Sequence, residues 1–398
     1  MKASHLVSSL LTAMFVVGPA NASVPGEFSG SLSLESRYFK DKGAYGNEDQ
    51  AHISIILEPE YVYSWNNDRN VVTFEPFYRW DSIDDNRRHG DIRELSYVAS
   101  MARVEIRAGI SKVFWGVTES QHVVDVINQT DFVENPDGEQ KLGQPMLNAT
   151  FITEFGNIDA FMLPYFRERT FSDENGRYRS AIDIDVKEAN YIHDDEEKHI
   201  DVALRWSHYL GDTDWALSYF NGTDRDPGFV FNSSTNKLEP LYGLSEQVGI
   251  ELQSIHGDLL AKAELRYKET DVTETHFTST IGFEYTIYGM YKDTDVGLLY
   301  EWLNDTRHEN TPFSVGNASF IGSRIAANDT ASSETLIGAI FDNDTQDLVL
   351  FRLEASTRIN EQLSVDLEIN LVSEPEKHSL VYQFQKDDYL QLTMNTYF

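Results

Sequence analysis

In the insert between positions 112 and 147, His122, Asp125, Asn128, Asp131, Glu134 and Asp137 bring an imidazole, an amide and four carboxylates into one stretch of chain. Such groups can act as general bases, ligate a hard cation, or set up a negative field that concentrates cations. The first use lacks its usual companions, because no G-x-S-x-G elbow, H-E-x-x-H pair or phosphate-cradling glycine loop occurs. With no cysteine in 398 residues, catalytic thiols, thiolate zinc sites and iron–sulfur clusters are excluded. The acidic runs Asp194-Asp195-Glu196-Glu197 and Asp224/Asp226 lack EF-hand spacing and read as solvated loops. No catalytic residue, metal ligand or cofactor is therefore expected.

The elements that must carry these groups have a period of two. Ile53, Ile55, Leu57, Pro59, Tyr61, Tyr63 and Trp65 fall on one face, against His52, Ser54, Glu58, Glu60 and Ser64. After Asn66-Asn67-Asp68, Val72, Phe74, Pro76, Tyr78 and Trp80 repeat the pattern against Thr73, Glu75, Arg79 and Asp81. Long alternation closed by an Asn/Asp turn is an antiparallel hairpin. The same period recurs near 104–111, 200–207, 259–268, 277–287 and 363–371. Strand parity places Arg37, Arg79, Arg107, Arg205, Lys262 and Arg266 on the polar face. Glu35, Glu58, Glu60, Glu75, Glu105, Asp201, Glu251, Glu264, Glu284, Asp366 and Glu368 share it.

Short connections are expected near 66–69, 101–102, 156–157, 210–213, 255–258, 289–292, 328–332 and 359–362. They alternate with longer, acidic stretches at 40–50, 82–91, 112–147, 167–196, 221–244, 269–275, 304–316, 342–346 and 373–387. Strands of ten or more residues, aromatic clusters at their ends and this alternation of connections are marks of an all-β transmembrane antiparallel barrel. Parity gives about eighteen strands, with sixteen left open by the irregular stretch 304–346. A formal charge of −33 argues against a nucleic-acid partner, and an aromatic content of 12% argues against disorder.

Lys2, an apolar run over 6–17 and Ala20-Asn21-Ala22 read as a secretory signal peptide over 1–22, leaving 23–398 as one barrel domain. In the insert, Thr118-x-x-Gln121 fits a capping box, and Val123, Val124, Val126 and Ile127 have roughly helical spacing. The expectation is a partly helical loop folded into the lumen, with His122, Asp125, Asn128, Asp131, Glu134 and Asp137 at a constriction. A surface loop packed on its neighbours is the other reading.

The segments 320–346 and 352–371 and the ending KDDYLQL carry a resemblance to a proteobacterial family of porin-like outer-membrane barrels, largely of unknown function. FWGVTESQHVVDVINQTDF (114–132), MLPYFRERTF (162–171) and YFNGTDRDP (219–227) echo it. The resemblance implies a Gram-negative outer-membrane location and a passive channel, and brings no catalytic residue. The closing strand, ending in Tyr397 and Phe398, resembles the signal that such barrels present to the barrel-assembly machinery.

The expected function is diffusion of small hydrophilic solutes with low or weakly cation-preferring selectivity. A channel specific for an anionic or organic solute, or a surface receptor or adhesin, are the alternatives. An enzyme is not expected. Expected partners are outer-membrane lipid and lipopolysaccharide; the sequence carries no interface signal for a homo-oligomer.

Overall fold

In the computed structural model the residues described are 25–46, 48–307, 316–373 and 383–398. The proposed signal peptide, 1–22, lies outside them. Half the chain follows the order β1 (Glu27–Phe39), β2 (Ala51–Trp65), β3 (Asn70–Asp81), β4 (Gly90–Ser100), β5 (Val104–Ser111), β6 (Gln144–Thr153), β7 (Gly156–Leu163), β8 (Asn190–Tyr191), β9 (Asp201–Leu210) and β10 (Thr213–Thr223). Then come β11 (Gly228–Asn232), β12 (Lys237–Tyr242), β13 (Leu244–His256), β14 (Leu259–Thr270), β15 (His276–Tyr291) and β16 (Thr294–Asp305). The last are β17 (Asn317–Ala326), β18 (Glu334–Asp342), β19 (Leu348–Asn360), β20 (Leu363–Val372) and β21 (Tyr389–Tyr397).

All but β8, β11 and β12 form one 18-stranded antiparallel sheet in which each strand pairs with its sequence neighbours. The sheet closes on itself. β21 pairs with β1 from Ser31↔Tyr397 to Phe39↔Tyr389, and Gly30 and Phe398 exchange two backbone hydrogen bonds of 3.1 Å at the seam. The ring of Phe398 rests on Phe28, centroids 5.7 Å apart. Eighteen strands, not sixteen, resolve the irregular stretch: β17 and β18 occupy it and pair along Ala318↔Asp342 to Ala326↔Glu334.

Alternation decides what faces where. Leu57, Phe74, Leu95, Leu204, Ile250, Phe283 and Leu392 are exposed on the outer surface. Their neighbours Ser54, Ser96, Ala203, Glu251 and Glu264 are buried inside the cylinder. Aromatic rings gather toward the strand ends: Tyr63 and Trp65 stack at 5.4 Å, Trp65 and Tyr97 at 5.8 Å, and Trp206 meets Trp215 at 4.7 Å. At the other rim stand Trp80 and Trp302.

Short turns at one rim alternate with longer connections at the other. The turn expected at 156–157 lies at 154–155 instead, since Gly156 already pairs with Thr153. At 66–68 three successive residues, Asn66, Asn67 and Asp68, take φ of 59°, 54° and 57°, a region that Asn and Asp tolerate better than other side chains. Among the longer connections, 164–200 and 224–243 combine in a small sheet, with β11 antiparallel to β12 and β8 parallel to it.

Inside the wall at β17 and β18, Gly322 faces Gly338 across the pair. A Cβ on either would lie 2.8 Å and 2.3 Å from the Phe320 ring, so the two glycines leave the hollow in which that ring lies. Phe320 joins Leu299, Leu303 and Ala318 in an inward apolar cluster flanked by Leu336 and Ile340.

Closure has a direct test, helped by the lack of native cysteine. Ser33 and Asn395 are register partners whose side chains meet at 2.6 Å across the seam. The double variant Ser33→Cys/Asn395→Cys should oxidise to a circularised chain with altered non-reducing gel mobility. Failure to cross-link in folded protein would refute the seam.

Candidate functional site: the inward loop and the passage beside it

Backbone donors decide the course of the 112–143 connection. Leaving β5, the chain crosses the inside of the barrel to β14 and β16. Glu264 Oε1 there accepts hydrogen bonds from the N–H groups of Val117 (2.6 Å) and Thr118 (2.9 Å) and from Thr118 Oγ1 (2.6 Å). Glu301 accepts from Glu119 N (2.7 Å), Ser120 N (2.8 Å) and Ser120 Oγ (2.5 Å). Each carboxylate thus satisfies successive N–H groups of the entering chain, which would otherwise be buried without an acceptor.

The expected helix is absent: residues 119–128 run as bends and turns. Thr118 Oγ1, whose single proton is shared between Glu264 and Gln121 O at 2.7 Å, closes a turn and not a helix start. Val123, Val124, Val126 and Ile127 do form an apolar unit, but against the wall. They pack with Trp115, Met146, Phe161, Leu163, Ala203 and Phe220, so the segment is glued to β6, β7, β9 and β10.

The six polar residues of the insert divide between packing and passage. Asn128 is wholly structural: its Oδ1 accepts from Val113 N (2.8 Å), and its Nδ2 donates to Ser111 O (2.9 Å) and Leu142 O (2.8 Å). Asp125 accepts from Trp115 N at 3.2 Å and pairs with Lys141 at 3.2 Å. Burial holds its carboxyl above the usual range despite that lysine.

Asp131 is fully buried against Arg93 at 2.7 Å and Thr170 at 2.6 Å. Glu134 meets Arg79 at 2.6 Å and His89 at 2.7 Å. Burial opposes its charge, but Arg79, His89 and Arg87 win and hold it down to about 2. These four residues are turned into packing and do not line open space. Asp137 and His122 lie nearer the passage, the first bonded to Arg352 of β19 at 2.6 Å. His122 sits 3.3 Å from Glu139 and 3.7 Å from Glu264. Burial works against its imidazolium, yet the two carboxylates raise it to about 10.

His89, Asp131 and Glu134 bring three potential ligand atoms within 4.8 Å of one another. Arg79 and Arg93 already hold the two carboxylates, with Arg87 donating to Glu134 O at 3.1 Å. The charge a metal would need is spent on guanidinium groups.

The wall charges of the polar face point inward and mostly pair. Arg79 and Arg87 share Glu35 at 3.1 and 2.9 Å, Arg205 binds Glu251 at 2.7 Å, and Lys262 approaches Glu284 at 3.8 Å. Glu75 meets Lys112 at 3.6 Å, and Asp201 takes Arg225 at 2.7 Å. Arg37 donates to Gln391 at 2.6 Å and lies over the Tyr389 ring; Arg266 donates to Thr278 at 3.2 Å. The Nε of Arg107 is buried with no hydrogen-bond partner among the described residues. Glu60 and Glu105 take hydroxyl partners, Ser29 at 3.3 Å and Ser100 at 2.9 Å, and Glu58 is half-buried. Glu368 pairs with Arg352 at 2.7 Å, while Asp366 accepts from Asn395 at 2.5 Å.

What the loop leaves free lies between Glu119 and the β17–β21 wall. A cavity of about 340 Å³ there is lined by Glu119, Arg324, Glu334, Glu354, Asp366 and Glu368, among others. Arg324 bridges the loop to the wall, 2.7 Å from Glu119 and 2.7 Å from Glu334. Sequence reasoning missed Glu119, Glu334, Glu354, Arg324 and Arg352. Three of them sit on β17 or β19 in or beside the stretch where alternation was weakest, yet all four wall residues obey the same parity as Glu368.

A closed barrel narrowed by an inward loop defines a porin-like architecture. Among solved structures, a mutant of the Rh. blastica porin is similar at 12% identity, covering 94% of this chain and 100% of its own, with a TM-score of 0.46. OprB of Pseudomonas putida is similar at 11% identity, with 94% of each chain covered and a TM-score of 0.46. The outer-membrane protein OmpT of Vibrio cholerae, in a trimer form, is similar at 11%, covering 94% of this chain and 100% of its own, again at 0.46. No family model matches the sequence. No curated protein matches it either.

Removing the Glu264 carboxylate strands buried N–H groups, at a cost of about 1–3 kcal/mol each. Glu264→Ala should therefore loosen the loop and speed tryptic cleavage after Lys141 in folded protein; an unchanged rate would show that the loop is held elsewhere. The His122 ion pair has its own pH window. A raised histidine contributes fully below its unfolded value near 6.5 and loses the contribution as pH rises through about 10. The His122 imidazole signals should show no titration step between pH 5 and 8, and a step near 6.5 would contradict the pairing.

Proposed function

We propose that this chain is an outer-membrane channel through which small hydrophilic solutes diffuse passively, with a weak preference for cations. The observation that carries this reading is the cavity between Glu119 and the β17–β21 wall, where five carboxylates surround Arg324 and two of them, Glu354 and Glu368, also meet Arg352. The exposed outer band of Leu, Ile and Phe suits lipid, and closure leaves no unpaired strand edge to hydrocarbon. Longer connections then face outward from the cell and short turns face the periplasm. Carboxylates in a narrow, low-dielectric passage raise the local cation concentration. Arg324 and Arg352, drawn onto loop carboxylates, reduce that preference without reversing it.

No reaction is assigned to the interior. The three-residue group His89, Asp131 and Glu134 is fixed by arginines.

In planar bilayers the purified protein should give stepwise conductance, with a reversal potential favouring K⁺ over Cl⁻ at neutral pH. Glu354→Gln/Asp366→Asn should cut that permeability ratio by about half or more, as expected where selectivity comes from charged side chains lining a pore. A chloride preference in the unaltered protein would overturn the cation assignment.

A further inference from the structure

The segment 164–189 leaves β7 and reaches the opposite part of the rim. Phe171 O accepts from Asn86 Nδ2 at 3.0 Å, and Asp173 Oδ2 accepts from Asp85 N at 2.8 Å, so the segment first crosses the β3–β4 connection. Beneath it, Thr170 Oγ1 bonds Asp131 at 2.6 Å and accepts from Val133 N at 3.1 Å, which rests it on the inward loop. Its tip then enters the rim at β1, β20 and β21, with five barrel strands lying between β7 and β1.

The tip is two buried residues. Arg177 donates to Asp387 Oδ1 at 2.7 Å, to Asp41 O at 3.1 Å and to Lys386 O, with its guanidinium 4.0 Å from the Phe39 ring centre. Tyr178 donates from its hydroxyl to Asp387 O at 2.8 Å and from its backbone to Asp387 Oδ2 at 3.2 Å, and accepts from Asn370 Nδ2 at 2.8 Å. Its ring lies among Phe39, Phe384 and Tyr389. Arg179 adds a bridge to Glu48 at 2.8 Å. Tyr178 also has φ of 55°, the left-handed region that a bulky side chain rarely adopts. The bonds at the tip offset the local cost of that backbone conformation, and each bond removed favours release.

We propose that 164–189 is a hinged cover over the long-connection mouth, latched at Arg177 and Tyr178, and that its release widens the entrance to the passage. This rests on the channel reading above. Latched, the cover shields the β1–β7 half of the mouth and directs solutes toward β17–β21. Unlatched, both halves are accessible.

Single-channel recording in planar bilayers tests this on full-length protein, folding being checked by far-ultraviolet circular dichroism. Arg177→Ala and Tyr178→Ala should each give at least a twofold rise in conductance or in the fraction of time spent in the largest open state. In the cysteine-free background, Arg177→Cys/Asp387→Cys bridged by a short bis-methanethiosulfonate linker should return conductance to the unaltered level or below, and reductant should reverse this. If the unaltered protein conducts and neither the alanine variants nor the linker change it, the cover proposal fails and the channel reading stands. If no protein conducts, the channel reading fails and the cover falls with it.

Discussion

The structure depends on pairing the first strand with the last. A sheet of this size left open would present two rows of unpaired backbone groups, and in lipid these have no water to turn to. The seam between β1 and β21 removes both rows at once. It also divides the side chains into two populations, one outside and one inside, with no edge at which they mix. The interior then has its own problem: a polar face with many charges and a long insert full of unsatisfied donors. Glu264 and Glu301 solve both by turning wall charge into acceptors for loop backbone.

The same economy recurs toward the long-connection rim. Buried arginines from connections, Arg87, Arg177 and Arg225, are each met by wall or connection carboxylates. A buried charge pair is weak evidence of stability, since desolvation offsets much of the attraction, but breaking one partner is costly. These pairs therefore specify where the connections lie. Glu119 and Asp137 of the inward loop reach Arg324 and Arg352 of the wall, and beside them a cavity remains, lined by Glu334, Glu354, Asp366 and Glu368.

Much of the barrel was legible in the sequence because a period of two survives any tertiary context that keeps one face in lipid and one in water. Ile53 to Trp65 and Leu363 to Leu371 could be assigned to faces by counting alone. The alternation is weakest at β17 and β18, where sixteen strands stayed open beside eighteen, for a physical reason. Phe320, Leu336 and Ile340 are inward apolar residues and Gly322 and Gly338 are inward gaps, so both faces read as mixed.

The loop was harder. Its apolar residues announced burial, but the partners that receive them, Met146, Phe161, Ala203 and Phe220, come from four separate strands and cannot be read from the loop itself. Asp125, Asn128, Asp131 and Glu134 looked like pore-lining groups because polarity alone does not reveal a buried partner. Arg79, Arg93, Lys141 and Leu142 O are those partners.

The hollow made by Gly322 and Gly338 sets the bore from the wall side. With both positions bare, an aromatic ring lies flush, and the cylinder keeps its full internal radius at that height. Were either residue to gain a methyl group, the benzyl group would swing toward the axis, and the aperture would shrink without any change in charge. In the proposed channel, throughput and ionic preference are therefore assigned to separate parts of the same surface, a pair of missing side chains for one and the carboxylates of β18–β20 for the other.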